Sequence, residues 1–202
     1  MGMEKKIAVL GAGSWGTALA VSLSTKGHRV TMWDINGEHL EGLRQNRENK
    51  PYLPGVPFEE NLQIGGAAEE AINGAEVVLF SAPAQHFRSA LTNALPYLKQ
   101  DMVLVNVAKG IEQKTLKRLS EIAEELAPGA RYAVLSGPSH AEEVGRKLPT
   151  TVVSAAKDLK LAQYVQDVFI CEWLRVYTNL DVAGVEFGGS LKNIIALGAG
   201  IS

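Results

Sequence analysis

The 202-residue sequence has a single cysteine, Cys171, which excludes an internal disulfide and every zinc pattern built on several thiolates. A reducing cytoplasm is the compartment expected of such a chain. Its four histidines (His28, His39, His86 and His140) show no metal-ligand spacing such as HExxH, so no metal site is expected. No apolar run reaches about 18 residues, the length a membrane-spanning helix needs. No signal-peptide core fits before Ile7, and no internal repeat or low-complexity segment stands out. An excess of one charge is lacking too. Twenty Lys+Arg against 22 Asp+Glu leave a net charge of −2, which argues against a nucleic-acid or anionic-membrane binder that works through bulk charge.

What the chain does have is 46% apolar residues in a regular rhythm, enough for a core that needs no staple. Short apolar runs predict strands at Lys6–Leu10, Arg29–Trp33, Glu76–Phe80, Met102–Asn106, Tyr132–Leu135, Thr150–Ser154 and Leu174–Tyr177. Amphipathic stretches between them predict helices at Trp15–Thr25, Glu38–Glu48, Ala67–Ile72, Ala84–Leu98, Leu116–Leu126, Ala141–Gly145 and Leu159–Val168. Val77-Val78-Leu79-Phe80 is apolar throughout and does not alternate, as suits a parallel strand covered on both faces. The pattern predicts a doubly wound α/β fold of the Rossmann kind, with a mostly parallel sheet and right-handed crossovers. Pro51 to Pro57 is too proline-rich for a helix and reads as an ordered loop. A last apolar helix starts near Val182 and runs to Ser202 without a cap. The expected division is a dinucleotide-binding domain over 1–180, followed at 181–202 by the first helix of a second domain that the sequence does not contain.

The strongest chemical signal is Gly11-Ala12-Gly13-Ser14-Trp15-Gly16. Chance supplies roughly 0.2 GxGxxG matches in a chain of this glycine content, so context must decide. A strand precedes this loop, a helix follows, and the second strand ends at an acid, Asp34. Gly11 permits the strand-to-helix turn, Gly13 lets backbone approach a pyrophosphate, and Gly16 allows close packing of the helix. Free N–H groups at the helix start would hold the diphosphate. Asp34 would accept hydrogen bonds from the adenosine ribose and repel a 2′-phosphate, although Arg29, Arg44 and Arg47 leave a phosphate partner open. The plainer alternative is a turn that binds nothing, with Asp34 capping the next helix.

Lys109 follows the fourth strand candidate, at the carboxyl end where ligands bind in such sheets. Ser136-Gly137-Pro138-Ser139-His140-Ala141 follows another, and Pro83 ends a third. Lys192 is an isolated charge in an apolar helix, costly unless it faces a cleft. Two lysines in one cleft would depress each other's pKa and let one trade a proton near neutrality. Against this stand ordinary solvation of Lys109 and snorkelling of Lys192. No GxSxG elbow occurs, which argues against hydrolase chemistry.

GAGSWGTALA (Gly11–Ala20), YLPGV (Tyr52–Val56), AKG (Ala108–Gly110), SGPSHAEE (Ser136–Glu143) and GGSLKNIIALGAGIS (Gly188–Ser202) occur in one order along the chain. With them the sequence resembles the bacterial form of NAD(P)-dependent glycerol-3-phosphate dehydrogenase. The resemblance implies reversible reduction of dihydroxyacetone phosphate to sn-glycerol 3-phosphate for phospholipid synthesis, with NAD or NADP as cofactor. It implies cofactor contacts from Ser14, Trp15, Tyr52, Lys109 and Ala141, substrate contacts from Lys109, Gly137 and Ser139, and a catalytic proton from Lys192. Asp34 departs from many bacterial members, which lack an acid there and accept NADPH. The family's helical second domain supplies an aspartate and an Arg-Asn pair that lie outside these residues, so little turnover is expected of this chain alone. Two alternatives remain: a related dehydrogenase of the 6-phosphogluconate or hydroxyacid type, and a dinucleotide sensor without chemistry. The oligomeric state is open, a homodimer included.

Overall fold

The computed structural model describes residues 3–201. The first half runs β1 (Lys6–Leu10), α1 (Ser14–Thr25), β2 (Arg29–Trp33), α2 (Gly37–Asn46), β3 (Glu48–Asn49), β4 (Leu53–Pro57), β5 (Leu62–Ile64), α3 (Ala68–Ile72), β6 (Val77–Phe80) and α4 (Ala84–Ala94). The second half runs β7 (Val103–Asn106), α5 (Leu119–Leu126), β8 (Arg131–Ser136), α6 (Ala141–Gly145), β9 (Thr150–Ala156), α7 (Leu159–Phe169), β10 (Leu174–Asn179) and α8 (Val182–Ile201).

The main sheet has eight strands in the order β10-β9-β8-β7-β6-β1-β2-β5. β1 lies inside it, parallel to β2 on one side and β6 on the other. The chain therefore builds outward in one direction through β2 and β5, then returns to the other side of β1 and builds the opposite way from β6. A crevice opens where the direction switches, beyond Leu10 and its register partner Phe80.

Why the central strands are apolar without alternation is visible in the packing. Ile7, Val9, Val77, Leu79, Val103 and Val105 face one core with α1 and α7, while Ala8, Leu10, Val78, Phe80 and Leu104 face another with α4 and α5. Both faces of the sheet are covered, so neither set of side chains meets water. Phe80 is 1% exposed and packs edge-on against Phe87, ring centroids 5.6 Å apart.

Two local expectations are corrected, and two features are added to the mostly parallel sheet that the sequence predicts. Pro51–Pro57 is not simply a loop: β4 pairs antiparallel with β3, a two-stranded ribbon in which Pro54 and Pro57 cost no central ladder bond. The helix expected from Leu116 begins at Leu119. Leu116 itself is a left-handed turn residue at φ 58° and is 77% exposed, and the preceding segment closes on itself through an Ile111–Arg118 bridge. The three-residue strand β5 was too short for a periodic signal. The sheet is parallel except at β8–β9, so β9 and β10, mutually parallel, run opposite to the rest. The short connection between β8 and β9 contains the five-residue α6, and it reverses the chain without a full crossover.

Helix α8 is capped by Asp181, whose side chain accepts from the Gly184 N–H at 2.8 Å. It packs over β8, β9 and α5. Ser202, the last residue of the expected helix, lies outside the described residues. Replacing Phe80 with Ala removes the ring shared by β6 and α4 and is expected to destabilise the fold by about 3–5 kcal/mol in urea unfolding. A loss under about 1 kcal/mol would show that this core does not depend on the β6–α4 contact.

Candidate functional site

The crevice at the switch point is a cleft of about 880 Å3. Gly11, Gly13, Ser14, Trp15, Asp34, Tyr52, Lys109, Ser139 and Ala141 all line it, together with Pro83 and His39. Three singled-out residues do not line it: Gly16, Gly137 and Lys192.

At the glycine loop, backbone and space set the geometry. Gly11 has φ 113°, and a Cβ there would stand 2.9 Å from the Ala82 nitrogen. A Cβ on Gly16 would stand 2.6 Å from the Ser81 hydroxyl, so Gly16 lets α1 close onto the end of β6. Gly13 differs: a Cβ there would meet nothing within 4 Å, and the open space in front of it is the cleft. Those are the three roles expected of a dinucleotide loop, now separated by what each position touches.

The loop is held from three sides at Ala12. Its N–H donates to Asp34 Oδ2 at 2.7 Å, while its carbonyl accepts from Asn49 Nδ2 at 2.8 Å and from His39 Nε2 at 3.1 Å. Asp34 Oδ1 accepts from the Asn36 N–H, and Asn36, not Asp34, caps α2 by accepting from the His39 N–H. Asp34 therefore braces the loop and still faces the cleft with a negative charge. His39 stacks edge-on against Tyr52, centroids 5.2 Å apart, at the same end of the cleft. Sequence reasoning missed Asn49 and His39. Asn49 is fully buried, and nothing in the sequence beyond its place just before the proline-rich segment marks it.

The other end is cationic. Lys109 Nζ donates to the Gly137 carbonyl at 3.1 Å and to Ser139 Oγ at 3.3 Å, and lies 5.7 Å from the Trp15 ring centroid. Burial, with the Lys192 charge as a second cause, lowers the Lys109 pKa to about 8. The Lys192 charge is felt at Lys109, but Lys192 stands half-buried on α8 and does not share the cleft lining that was expected to hold both lysines. Gly137 acts differently from the expectation that its small size admits a ligand. A Cβ there would stand 2.9 Å from the Thr151 carbonyl, so it is the close approach of β9 that excludes a side chain, and its own carbonyl serves Lys109. Buried Trp15 Nε1 has no hydrogen-bond partner among the described residues.

A parallel sheet with a switch-point cleft, a braced glycine loop and a helix start opening onto it define a dinucleotide-binding domain of the Rossmann type. The sequence profile described as "NAD-dependent glycerol-3-phosphate dehydrogenase N-terminus" matches residues 6–162. Over 203 residues the chain is 52% identical to the glycerol-3-phosphate dehydrogenase (NAD(P)+) of Pelotomaculum thermopropionicum, covering 99% of this chain and 58% of that protein. The protein of that name from Moorella thermoacetica is 54% identical over 200 residues, with 99% and 59% covered. The crystal structure of glycerol-3-phosphate dehydrogenase from Coxiella burnetii superposes with a TM-score of 0.92 at 34% identity, covering 98% of this chain and 61% of that one. The chain belongs to the NAD-dependent glycerol-3-phosphate dehydrogenase family and carries its N-terminal part. It spans 58–61% of the length of these relatives.

Among the described residues no helix is long and apolar enough to cross a membrane, and no group of three or more His, Cys, Asp or Glu is placed to hold a metal ion. Lys192→Met removes one of the two causes that depress Lys109, so the pH at which Lys109 loses its proton is expected to rise above 8. Acetylation of Lys109 followed by peptide mass spectrometry across pH 6–11 reads this out. An unchanged midpoint would separate the two lysines.

Proposed function

We propose that this chain is the cofactor-binding part of an enzyme that interconverts dihydroxyacetone phosphate and sn-glycerol 3-phosphate, feeding phospholipid synthesis in the cytoplasm. The observation that carries the reading is the pairing of a braced glycine loop at one end of the cleft with the part-buried Lys109, held by Gly137 and Ser139, at the other.

A nicotinamide dinucleotide fits the residues present. The open space at Gly13 and the α1 N–H groups behind it would take the pyrophosphate, with Ser14, Trp15, Tyr52, Lys109 and Ala141 along the rest of the cleft. Bound there, it supplies or accepts a hydride. Asp34, on the cleft wall after β2, would accept hydrogen bonds from the adenosine ribose hydroxyls and repel a 2′-phosphate, which would favour NAD(H) over NADP(H).

At the other end Lys109 and Ser139 would hold the phosphorylated substrate, with Gly137 orienting Lys109 through its carbonyl. Lys192 would carry the proton for the substrate oxygen, donating it when the carbonyl is reduced and taking it back in reverse. The Lys192 charge is the second cause, after burial, that lowers the Lys109 pKa. A cytoplasmic setting agrees with the lone Cys171, half-buried beside Ser22 Oγ and unpaired with another thiol. We assign 1–180 to the nucleotide-binding domain and 181–202 to the start of the substrate domain, whose covering of α8 is the role left for the remaining length of the relatives.

Two measurements test this. Titration of the chain with NADH and NADPH, read by energy transfer from its tryptophans, is expected to give saturable NADH binding at least about tenfold tighter than NADPH, with the gap closing in Asp34→Asn. Equal affinity for the two would overturn the role of Asp34, and binding of neither would overturn the site. In the longer enzyme, Lys192→Ala is expected to lower kcat by about 100-fold or more. Retention of most activity would remove Lys192 from the chemistry.

A further inference from the structure

Helix α8 is rich in apolar residues, yet the residue it buries among those described is an acid. Glu186 is 7% exposed, while Ile194, Ile195, Leu197 and Ile201 on the same helix are at least 66% exposed. A buried carboxylate is costly unless fully satisfied, and this one is. Its Oε1 accepts from the Ser120 N–H at 2.8 Å, and its Oε2 accepts from Ser120 Oγ at 2.6 Å and Arg118 Nη1 at 3.1 Å. Ser120 lies in the first turn of α5, so Glu186 delivers a negative charge to the positive end of another helix.

The same carboxylate also reaches the Lys109 loop. Tyr132 on β8 donates its O–H to Glu186 Oε1 at 3.5 Å, and the Asn106 side chain acts on the same phenol as a second polar neighbour. Asn106 ends β7 and is fully buried. Its Oδ1 accepts from the Ala108 N–H at 3.1 Å and its Nδ2 donates to the Ala108 carbonyl at 3.3 Å, which pins the residue just before Lys109. One polar chain, Glu186–Tyr132–Asn106–Ala108, therefore joins α8 to the loop that carries the first lysine.

On α8 itself, Glu186, Gly189 and Lys192 follow one another at three-residue intervals, successive neighbours along one side of a helix. A Cβ on Gly189 would stand 2.6 Å from Ser136 Oγ and 3.5 Å from Lys109 Cγ. Gly189 thus lets α8 close directly over Lys109, and Glu186, one turn earlier, sets the rotation in which it does so.

We propose that Glu186 is a positioning residue that, by clamping α8 to α5 and reaching the Lys109 loop through Tyr132 and Asn106, holds α8, and Lys192 with it, over Lys109. This rests on the proposed roles of the two lysines. Glu186 touches neither lysine and carries no proton in the reaction; it acts through the placement of both.

The test uses the 202-residue chain and reads Lys109 directly. Acetylation across pH 6–11, quantified on the Lys109 peptide, is expected to show the midpoint moving up by about one pH unit in Glu186→Ala, because α8 no longer buries Lys109 or presents Lys192 to it. Glu186→Gln keeps an oxygen for the Ser120 N–H but puts an NH2 where Oε2 accepts from Ser120 Oγ and Arg118 Nη1, while α8 keeps its side chain at this position, so a smaller upward shift is expected. Thermal unfolding of each variant establishes that it is folded, and if Glu186→Ala is not, the near-isosteric Gln variant decides by the same criterion. A Lys109 midpoint unchanged from the wild type in a folded variant would overturn the proposal and reduce Glu186 to an ordinary helix anchor. NADH titration of the wild-type chain separates this from the functional reading: saturable binding with an unmoved Lys109 midpoint sinks only the positioning role, whereas no binding sinks the cofactor site itself.

Discussion

The cleft depends on how closely three backbones approach one another where β1, β6 and α1 meet. Gly11 turns there with the Ala82 backbone against it, and Gly16 sets the start of α1 against Ser81. Were either position to carry a side chain, α1 would stand off from the sheet and its first N–H groups would no longer face the space in front of Gly13. The sheet order supplies the other half of the constraint. Because β2 and β6 flank β1 on opposite sides, no crossover covers the end of β1, and a crevice must remain.

Around that opening the polar groups are placed to brace rather than to fill. Ala12 is gripped by Asp34, Asn49 and His39, each from a different element, so the loop is organised before any ligand arrives. Lys109 is organised likewise, by Gly137, Ser139 and the Trp15 ring. Pre-ordering of this kind lowers the entropy that binding must overcome. The sign of charge divides the cleft as well, with a carboxylate at the end of β2 and an ammonium beyond β7.

A second polar system lies beneath α8, with Glu186 and Asn106 buried and their partners half-buried. Glu186, Tyr132, Asn106, Ser120 and Arg118 come from α8, β8, β7 and the start of α5. Its members satisfy one another, so the low dielectric around them strengthens the network instead of penalising it. An apolar contact would hold α8 to the sheet with little preference for rotation. Directional bonds to one carboxylate specify a rotation, the one in which Gly189 closes on Lys109.

Much of this protein was settled by local pattern. The glycine spacing, the apolar strand runs and the placement of Asp34 and Lys109 after strands each follow from steric or burial rules that act over a few residues, and the fold kept them all. Where several residues had to be brought together across the chain, local pattern was silent. The hairpin at Leu53–Pro57, the three-residue β5 and the reversal at β8–β9 depend on which strand edge is free, a property of the whole sheet. Gly137 looked like room for a ligand and proved to be room for β9, because only the packed sheet decides which backbone passes nearest. The sequence by itself determined which residue types could serve a dinucleotide and a phosphate. Tertiary structure alone decided that Asn49 and His39 grip the loop and that Glu186, an acid with no motif around it, faces Ser120 from 66 residues away. Hydrogen bonds and burial are set by distance in space, and spacing along the chain carries no record of it.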